Sequence, residues 1–254
     1  MNIFFDIETI PSQSAEVRAE LAAAVTAPGQ YKKPESIAEW LRDNREAEAE
    51  AAWLKTSFDG GAGQVVCIGW AVDDGDVNCL HVPSLSRADE MALLANWFAD
   101  LTKLHSTGGT RPVLIGHNSN AFDIPFLWKR AMVLGVKPPL WFPRDPKPWG
   151  ESTRDTMLMW DSQQRAGGSM ARLCRIFGIE GKGDIDGSMV WPMVQAGKIA
   201  EVAEYCRGDV ERTRALYRRM TFEIPAPTAD ATLKAAILAR SPALAASLPA
   251  SIFG

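Results

Sequence analysis

Short apolar segments alternate with longer helical segments along the first half of the chain, and this order constrains the fold more than any other feature. Residues 3–7, 65–72, 77–82 and 113–116 are rich in β-branched and aromatic residues, which predicts strands. The second and third of these segments are joined by the polar sequence Asp-Asp-Gly-Asp at 73–76, which is typical of an antiparallel hairpin.

Apolar residues recur at helical spacing in the segments that follow these strands. They predict helices at 87–104 and 124–134, and a mostly helical second half with segments at 169–177, 188–196 and 198–220. Strands interleaved with helices predict an α/β fold, here a mixed sheet flanked by helices.

The segment from about residue 11 to residue 63 differs in composition from its surroundings. It is rich in Ala, Glu and Arg, has helical stretches at 15–25 and 34–56, and ends on a glycine-rich sequence at 59–63. We therefore predict a helical insertion directly after the first strand.

The chain has enough apolar residues for one well-packed domain. Of its 254 residues 46% are hydrophobic, which suffices for an α/β core. We predict a single domain over residues 1–222, followed by a Pro- and Ala-rich tail at 223–254 that includes a short helix at 230–240.

Charge and cysteine spacing argue against several classes of protein. A formal net charge of −4 shows no overall basic excess, so a basic groove for nucleic acid would have to be local. No two cysteines form a C-x-x-C pair, which argues against a zinc ribbon or a disulfide framework and indicates reduced thiols; the four are Cys67, Cys79, Cys174 and Cys206. Without a basic leader or a long apolar run, we expect a cytoplasmic protein with no membrane partner.

Two carboxylates stand at the end of the first predicted strand. Asp6 and Glu8 are two residues apart, so both side chains project from one face of the strand. One interpretation is a strand end whose acids face water. The other is a divalent-cation site, because an acid within an apolar strand costs free energy unless a positive charge compensates it.

A third acid follows the predicted strand at 113–116. The sequence Gly-His-Asn-Ser-Asn-Ala-Phe-Asp at 116–123 forms a polar loop that ends on Asp123, immediately before a predicted helix. Asp123 is therefore either a functional carboxylate or an N-cap residue, since Pro125 in the first turn is typical of a helix start.

A phenol and a fourth acid lie on the last long predicted helix. Tyr205 and Asp209 are four residues apart and so share one helical face. Taken alone, Tyr205 would be a core residue and Asp209 part of a solvated stripe that includes Arg207, Glu211 and Arg212.

The order of the three motifs resembles that of a known family. Phe-Asp-Ile-Glu-Thr at 5–9, the loop ending at Asp123 and Tyr-Cys-Arg-Gly-Asp-Val at 205–210 resemble the DEDD 3'-5' exonucleases of the ribonuclease H-like superfamily. In the histidine subgroup the base lies five residues before the last aspartate, where this chain has Glu204, so the resemblance is to the tyrosine subgroup. Stand-alone relatives of the proofreading domain of family B DNA polymerases are the most similar in pattern.

The resemblance implies a site and its cofactors. Asp6, Glu8 and Asp209 would hold one cation, Asp6 would also contact a second, and Asp123 would support that second cation through water. The ions are expected to be two Mg or Mn, which favour oxygen ligands. Tyr205 would orient the attacking water.

The substrate implied by the resemblance is the 3' end of a nucleic-acid strand, single-stranded DNA foremost. Backbone groups at Thr9 and Ile10 would meet the terminal nucleotide, and Asn118 and Phe122 would line the same pocket. Two further acids, Asp155 and Asp186, are more often structural than catalytic in such positions.

Aromatic and basic residues cluster in the middle of the chain and could stack bases and bind phosphates. The helix-borne Trp128 and Trp160 are predicted to pack in the core, whereas residues 141–149, a Pro-rich loop with two tryptophans, are better candidates for substrate contact. The basic residues of this region are Lys129, Arg130, Arg144 and Lys147.

Three other functions share these features. A 3'-5' exoribonuclease would differ only in contacts to the 2'-hydroxyl. A non-catalytic nucleic-acid-binding module would have no need of four acids and a tyrosine. A structure-specific endonuclease would use the same carboxylates but would also cut circular strands.

Overall fold

A five-stranded mixed sheet forms the centre of the protein, which a computed structural model describes over residues 1–108, 111–147, 150–162, 168–181 and 186–223. The strands are β1 (Asn2–Ile10), β2 (Gln64–Val72), β3 (Asn78–His81), β4 (Val113–Gly116) and β5 (Thr153–Asp155), in the order β3-β2-β1-β4-β5. β1 pairs antiparallel with β2 and parallel with β4, and β4 pairs parallel with β5. The predicted α/β class is confirmed.

Eight α-helices surround the sheet in the described part of the chain. They are α1 (Ala15–Ala24), α2 (Pro34–Leu54), α3 (Arg87–Gly108), α4 (Asp123–Leu134), α5 (Thr156–Trp160), α6 (Met170–Phe177), α7 (Val190–Gln195) and α8 (Ile199–Met220). Two 3-10 turns, Lys55–Phe58 and Gly187–Met189, precede β2 and α7. None of the helices in the described ranges has both the length and the apolar composition of a membrane span.

The two faces of β1 pack against different helices. Phe5 contacts Trp97 of α3, with ring centroids 6.1 Å apart, whereas Phe4 contacts Tyr217 of α8 at 5.7 Å. Because side chains alternate along a strand, Asp6 and Glu8 share the face of Phe4, which is the α8 face. The strand register therefore directs both acids toward the helix that carries Tyr205 and Asp209.

The helical insertion after the first strand is confirmed, and its C-terminal part joins the main body. Trp53 is buried, packs edge-on against Trp191 and donates a hydrogen bond of 2.8 Å to the carbonyl of Ser12. Thr56 accepts a 2.8 Å hydrogen bond from the backbone of Ser12. The end of the insertion is thus fixed against the strand that bears the first motif.

The sequence did not predict β5 and α5, because each is too short to show a periodic pattern. β5 has three residues and α5 has five. Of the predicted tail at 223–254, residues 224–254, with the predicted helix at 230–240, lie outside the described residues.

Candidate active site

Three carboxylates from two elements meet between the sheet and α8. One oxygen from each of Asp6, Glu8 and Asp209 lies within 4.8 Å of the others. Glu8 and Asp209 are buried and Asp6 is partly buried. For Glu8 the alternative of an acid that faces open water is therefore wrong, whereas Asp6 keeps partial contact with solvent.

The α8 residues of the third motif are turned inward. Asp209 is 3% exposed and Tyr205 is 7% exposed, so Asp209 is not part of a solvated stripe. Arg212, one turn further along the helix, donates a 2.9 Å hydrogen bond to Asp209 Oδ1. Its guanidinium also donates to the carbonyl of Gly181 at 2.9 Å, so one arginine links Asp209 to the segment after α6.

Asp123 lies outside this close group but contacts the same strand. Its Oδ1 accepts a 3.3 Å hydrogen bond from the backbone nitrogen of Ile7, which lies between Asp6 and Glu8. The N-cap of α4 is Phe122, with no side-chain capping bond, and the helix begins at Asp123 itself. The N-cap interpretation of Asp123 is therefore wrong.

Burial dominates the electrostatics of Asp123. Desolvation raises the pKa of this carboxyl most, hydrogen bonds from backbone amides lower it, and the nearby charges of Asp155 and Asp209 raise it, so that the pKa is about 7. A bound cation would oppose this shift, because positive charge favours the ionised form.

The loop before Asp123 is organised by Asp155, whose role the sequence did not reveal. The Asp155 carboxylate accepts hydrogen bonds from the backbone of Asn118 at 2.9 Å and Asn120 at 3.0 Å, while also capping α5. Asn118 has a φ of 62°, a left-handed conformation that asparagine adopts more readily than most residues. Asp155 therefore has a structural role, as expected, and that role is to shape the second motif. Asp186 is likewise an N-cap, of the turn Gly187–Met189.

An aromatic pair flanks the N-terminal motif. Phe58 is 73% exposed, and its ring centroid lies 6.1 Å from that of Phe122. The Thr9 hydroxyl donates a 2.7 Å hydrogen bond to the carbonyl of Ser57, which fixes this turn beside β1. The Ile10 side chain is fully buried, so only its backbone could meet a substrate. Nothing in the local sequence distinguishes Phe58 from a core residue, so its exposure was not predicted.

The mid-chain aromatic cluster is mostly structural. Trp128 packs against the core, as predicted, and also donates a 2.7 Å hydrogen bond to the carbonyl of Pro143. Trp160, in contrast, is 37% exposed and covers Phe177, so its prediction as a core residue is wrong. In the predicted substrate loop, Phe142 is buried in the core and Trp141 packs against it, while Trp149 lies outside the described residues.

The basic residues of that region are largely engaged elsewhere. Arg130 is buried and forms a two-pronged ion pair with Glu90 at 2.6 and 2.7 Å, so it is not a phosphate ligand. Lys129 pairs with Asp59 at 2.9 Å, Lys147 pairs with Asp145 at 2.6 Å, and the Arg144 guanidinium lies over the Trp128 ring.

The donor set of the carboxylate group fits a divalent cation. Carboxylate oxygens are the ligands that Mg²⁺ and Mn²⁺ prefer, and three acids this close would otherwise repel one another. Asp6, Glu8 and Asp209 could therefore hold a metal ion.

Comparisons with known proteins agree with this fold. The chain is similar to the structure of the family B DNA polymerase from the hyperthermophilic archaeon Pyrobaculum calidifontis, with a TM-score of 0.55 and 19% sequence identity. The match covers 87% of this chain and 24% of the polymerase chain, and at this identity it concerns the fold. Comparison with curated proteins found no match.

A family model covers the second and third motifs. The model, described as a predicted 3'-5' exonuclease related to the exonuclease domain of PolB, matches residues 53–231, which include Asp123, Tyr205 and Asp209. Asp6 and Glu8 precede the matched residues, so their place in the site rests on the geometry of β1. Since the match spans more than half of the chain, the chain belongs to the family of predicted 3'-5' exonucleases related to the exonuclease domain of PolB.

Proposed function

We propose that this protein is a divalent-cation-dependent 3'-5' exonuclease that hydrolyses the terminal phosphodiester bond of single-stranded DNA. The observation that carries the proposal is the convergence of Asp6, Glu8 and Asp209 within 4.8 Å, on a fold of this exonuclease family. Hydrolysis at a phosphodiester requires stabilisation of charge on both the attacking and the leaving oxygen.

The carboxylates and the tyrosine have separate roles in this proposal. Asp6, Glu8 and Asp209 would hold Mg²⁺ or Mn²⁺, with Asp123 supporting a second ion, and the ions would supply charge stabilisation at the phosphate. The Tyr205 hydroxyl orients the attacking water. Burial of Tyr205 and Asp209 keeps both groups in fixed positions and limits competing solvent.

The aromatic pair supplies a surface for the terminal nucleotide. An exposed ring costs little to cover with a base, and base–aromatic stacking contributes about 1–3 kcal/mol per base. Phe58 offers such a ring next to Phe122, while backbone groups of Thr9 and Ile10 and the side chain of Asn118 contact the sugar and phosphate.

The test uses one DNA sequence in three forms, a 5'-labelled linear strand, the same strand with a blocked 3' end, and a covalently closed circle. We expect Mg²⁺- or Mn²⁺-dependent shortening of the free linear strand alone. Cleavage of the circle would indicate an endonuclease, faster cleavage of matched RNA an exoribonuclease, and binding without cleavage a non-catalytic module. Asp6→Asn serves as the inactive control, since it removes a ligand charge from the partly exposed position.

A further inference from the structure

Three cysteine side chains meet on the α8 side of the sheet, next to the carboxylate group. Cys67 of β2, Cys79 of β3 and Cys206 of α8 each place a sulfur within 4.8 Å of the other two. Their separation along the sequence gives no sign of this, so the cluster is a product of the fold.

The strand register and a glycine create the space for the three sulfurs. Cys67 and Gly69 are two residues apart on one face of β2, and Gly69 pairs directly with Cys79. A Cβ atom at Gly69 would lie 3.0 Å from the Cys206 sulfur. The missing side chain thus lets Cys206 approach the two strand cysteines.

The cluster is closed on one side and open on the other. Cys67 and Cys206 are fully buried, whereas Cys79 is partly exposed on the edge strand β3. His81 is exposed, pairs with Cys67 in the register and lies two residues after Cys79, which places it on the same face of the strand. An ion could therefore enter from the edge of the sheet, where a rotation of the exposed His81 side chain would turn its imidazole toward the sulfurs.

We propose that Cys67, Cys79 and Cys206 bind a borderline or soft cation of the Zn²⁺ type, with His81 as the fourth ligand. Sulfurs bound about 2.3 Å from a tetrahedral ion lie about 3.8 Å from one another, so small side-chain shifts suffice. Each thiol gives its proton to solvent as its sulfur binds. Sulfur and imidazole ligands separate this site chemically from the nearby oxygen site, which selects hard cations.

The bound ion would connect the edge of the sheet to the helix of the third motif. It would tie β2 and β3 to α8, one residue from Tyr205 and three from Asp209. Without the ion, the Cys206 thiol donates a 3.5 Å hydrogen bond to the carbonyl of Asp6, and this bond is lost when the sulfur binds the ion as a thiolate.

The test titrates Co²⁺ into the reduced, chelator-treated full-length protein in millimolar Mg²⁺, which fills the oxygen site. We expect a thiolate-to-cobalt charge-transfer band that saturates at one ion per chain and disappears when one equivalent of Zn²⁺ is added. The band should persist in Asp209→Asn, so the result does not depend on the proposed exonuclease activity. Cys174→Ser is the matched control, because Cys174 is a buried cysteine of α6 outside the cluster.

Variants at the open side of the cluster decide the outcome. Cys79→Ser, at the partly exposed position, should fold as judged by circular dichroism, bind Co²⁺ more weakly and give a weaker band, because one of the three sulfurs is removed. His81→Ala should keep the band but bind Zn²⁺ more weakly, and an unchanged affinity would overturn the fourth ligand. The metal site itself is overturned by the absence of the band in the parent protein, by a band of unchanged intensity and affinity in Cys79→Ser, or by a disulfide among these cysteines in protein that binds no ion.

Discussion

Replacement of Asp155 tests whether one buried carboxylate shapes the loop that leads to Asp123. Asp155 Oδ1 accepts hydrogen bonds from the backbone nitrogens of Asn118, Met157 and Leu158 at 2.9, 3.0 and 3.4 Å, and Oδ2 accepts from Asn120 at 3.0 Å. In Asp155→Asn the side-chain amide oxygen can still accept hydrogen bonds from the three backbone N–H groups that donate to Oδ1. The amide nitrogen then faces the N–H of Asn120, donor against donor.

The expected loss in the free energy of unfolding follows from the number of backbone N–H groups left without an acceptor. One part-buried N–H left without an acceptor costs about 1–3 kcal/mol. Burial raises the pKa of Asp155, so removal of the charge returns part of that cost. We therefore expect Asp155→Asn to destabilise the fold by about 1–2 kcal/mol. Asp155→Ala, which also removes the α5 cap, should cost about 3–4 kcal/mol.

Urea denaturation without divalent cation measures the free energy of unfolding of both variants. Asp186→Asn is the control. Asp186 is an exposed N-cap residue that accepts a 2.8 Å hydrogen bond from the backbone nitrogen of Ser188, and asparagine caps a helix equally well, so this variant should keep the parent stability. The rate of DNA cleavage by Asp155→Asn should fall by more than the fraction of unfolded protein explains, because the loop that Asp155 holds positions Asn118 and Asp123. The reasoning is refuted if Asp155→Asn and Asp186→Asn are equally stable, or if Asp155→Asn cleaves DNA at the parent rate.

Three further predictions concern the site itself. Tyr205→Phe should lower kcat by about 10²–10⁴ in single-turnover cleavage and leave the Mn²⁺ affinity, measured by calorimetry, unchanged. Asp209→Asn should lower both kcat and the Mn²⁺ affinity. Phe58→Ala should raise KM for single-stranded DNA with little change in the free energy of unfolding, because the ring is exposed, and an unchanged KM would exclude it from the substrate surface. Asp123 has a folded-state pKa of about 7 against an ordinary 3.8, so without metal its contribution to stability is present at low pH and is lost as pH rises toward 7. Between pH 3.8 and 7 the free energy of unfolding of the parent protein should therefore fall by about 1.4 kcal/mol per pH unit, and Asp123→Asn should remove this pH dependence. Thermal melting of parent and Asp123→Asn from pH 5 to 8, both in chelator, is the measurement, and equal profiles of the two proteins would contradict the prediction.

Local periodicity paired the candidate residues but did not decide between a functional and a structural role for them. Asp6 and Glu8 share a strand face and Tyr205 shares a helix face with Asp209, and both relations depend on spacing within one element. Which helix covers which face of the sheet depends on packing between distant residues, such as Phe4 against Tyr217. For this reason the sequence predicted the carboxylates, but only through the resemblance could it predict that they meet.

The wrong interpretation of Arg130 has a physical cause. A basic or aromatic side chain is equally suited to a substrate and to a partner inside the protein, and the sequence does not state whether such a partner exists. Arg130 was a phosphate-binding candidate until its pairing with Glu90 was seen, and Glu90 in turn accepts a 2.9 Å hydrogen bond from the backbone of Val65. Cys67 and Cys206 show the converse, since isolated thiols in the sequence become neighbours because Gly69 leaves room between them. In this protein the role of a side chain depends on the partner that the tertiary fold brings to it. The most informative variants are therefore those that remove one partner of an interaction and leave the other in place.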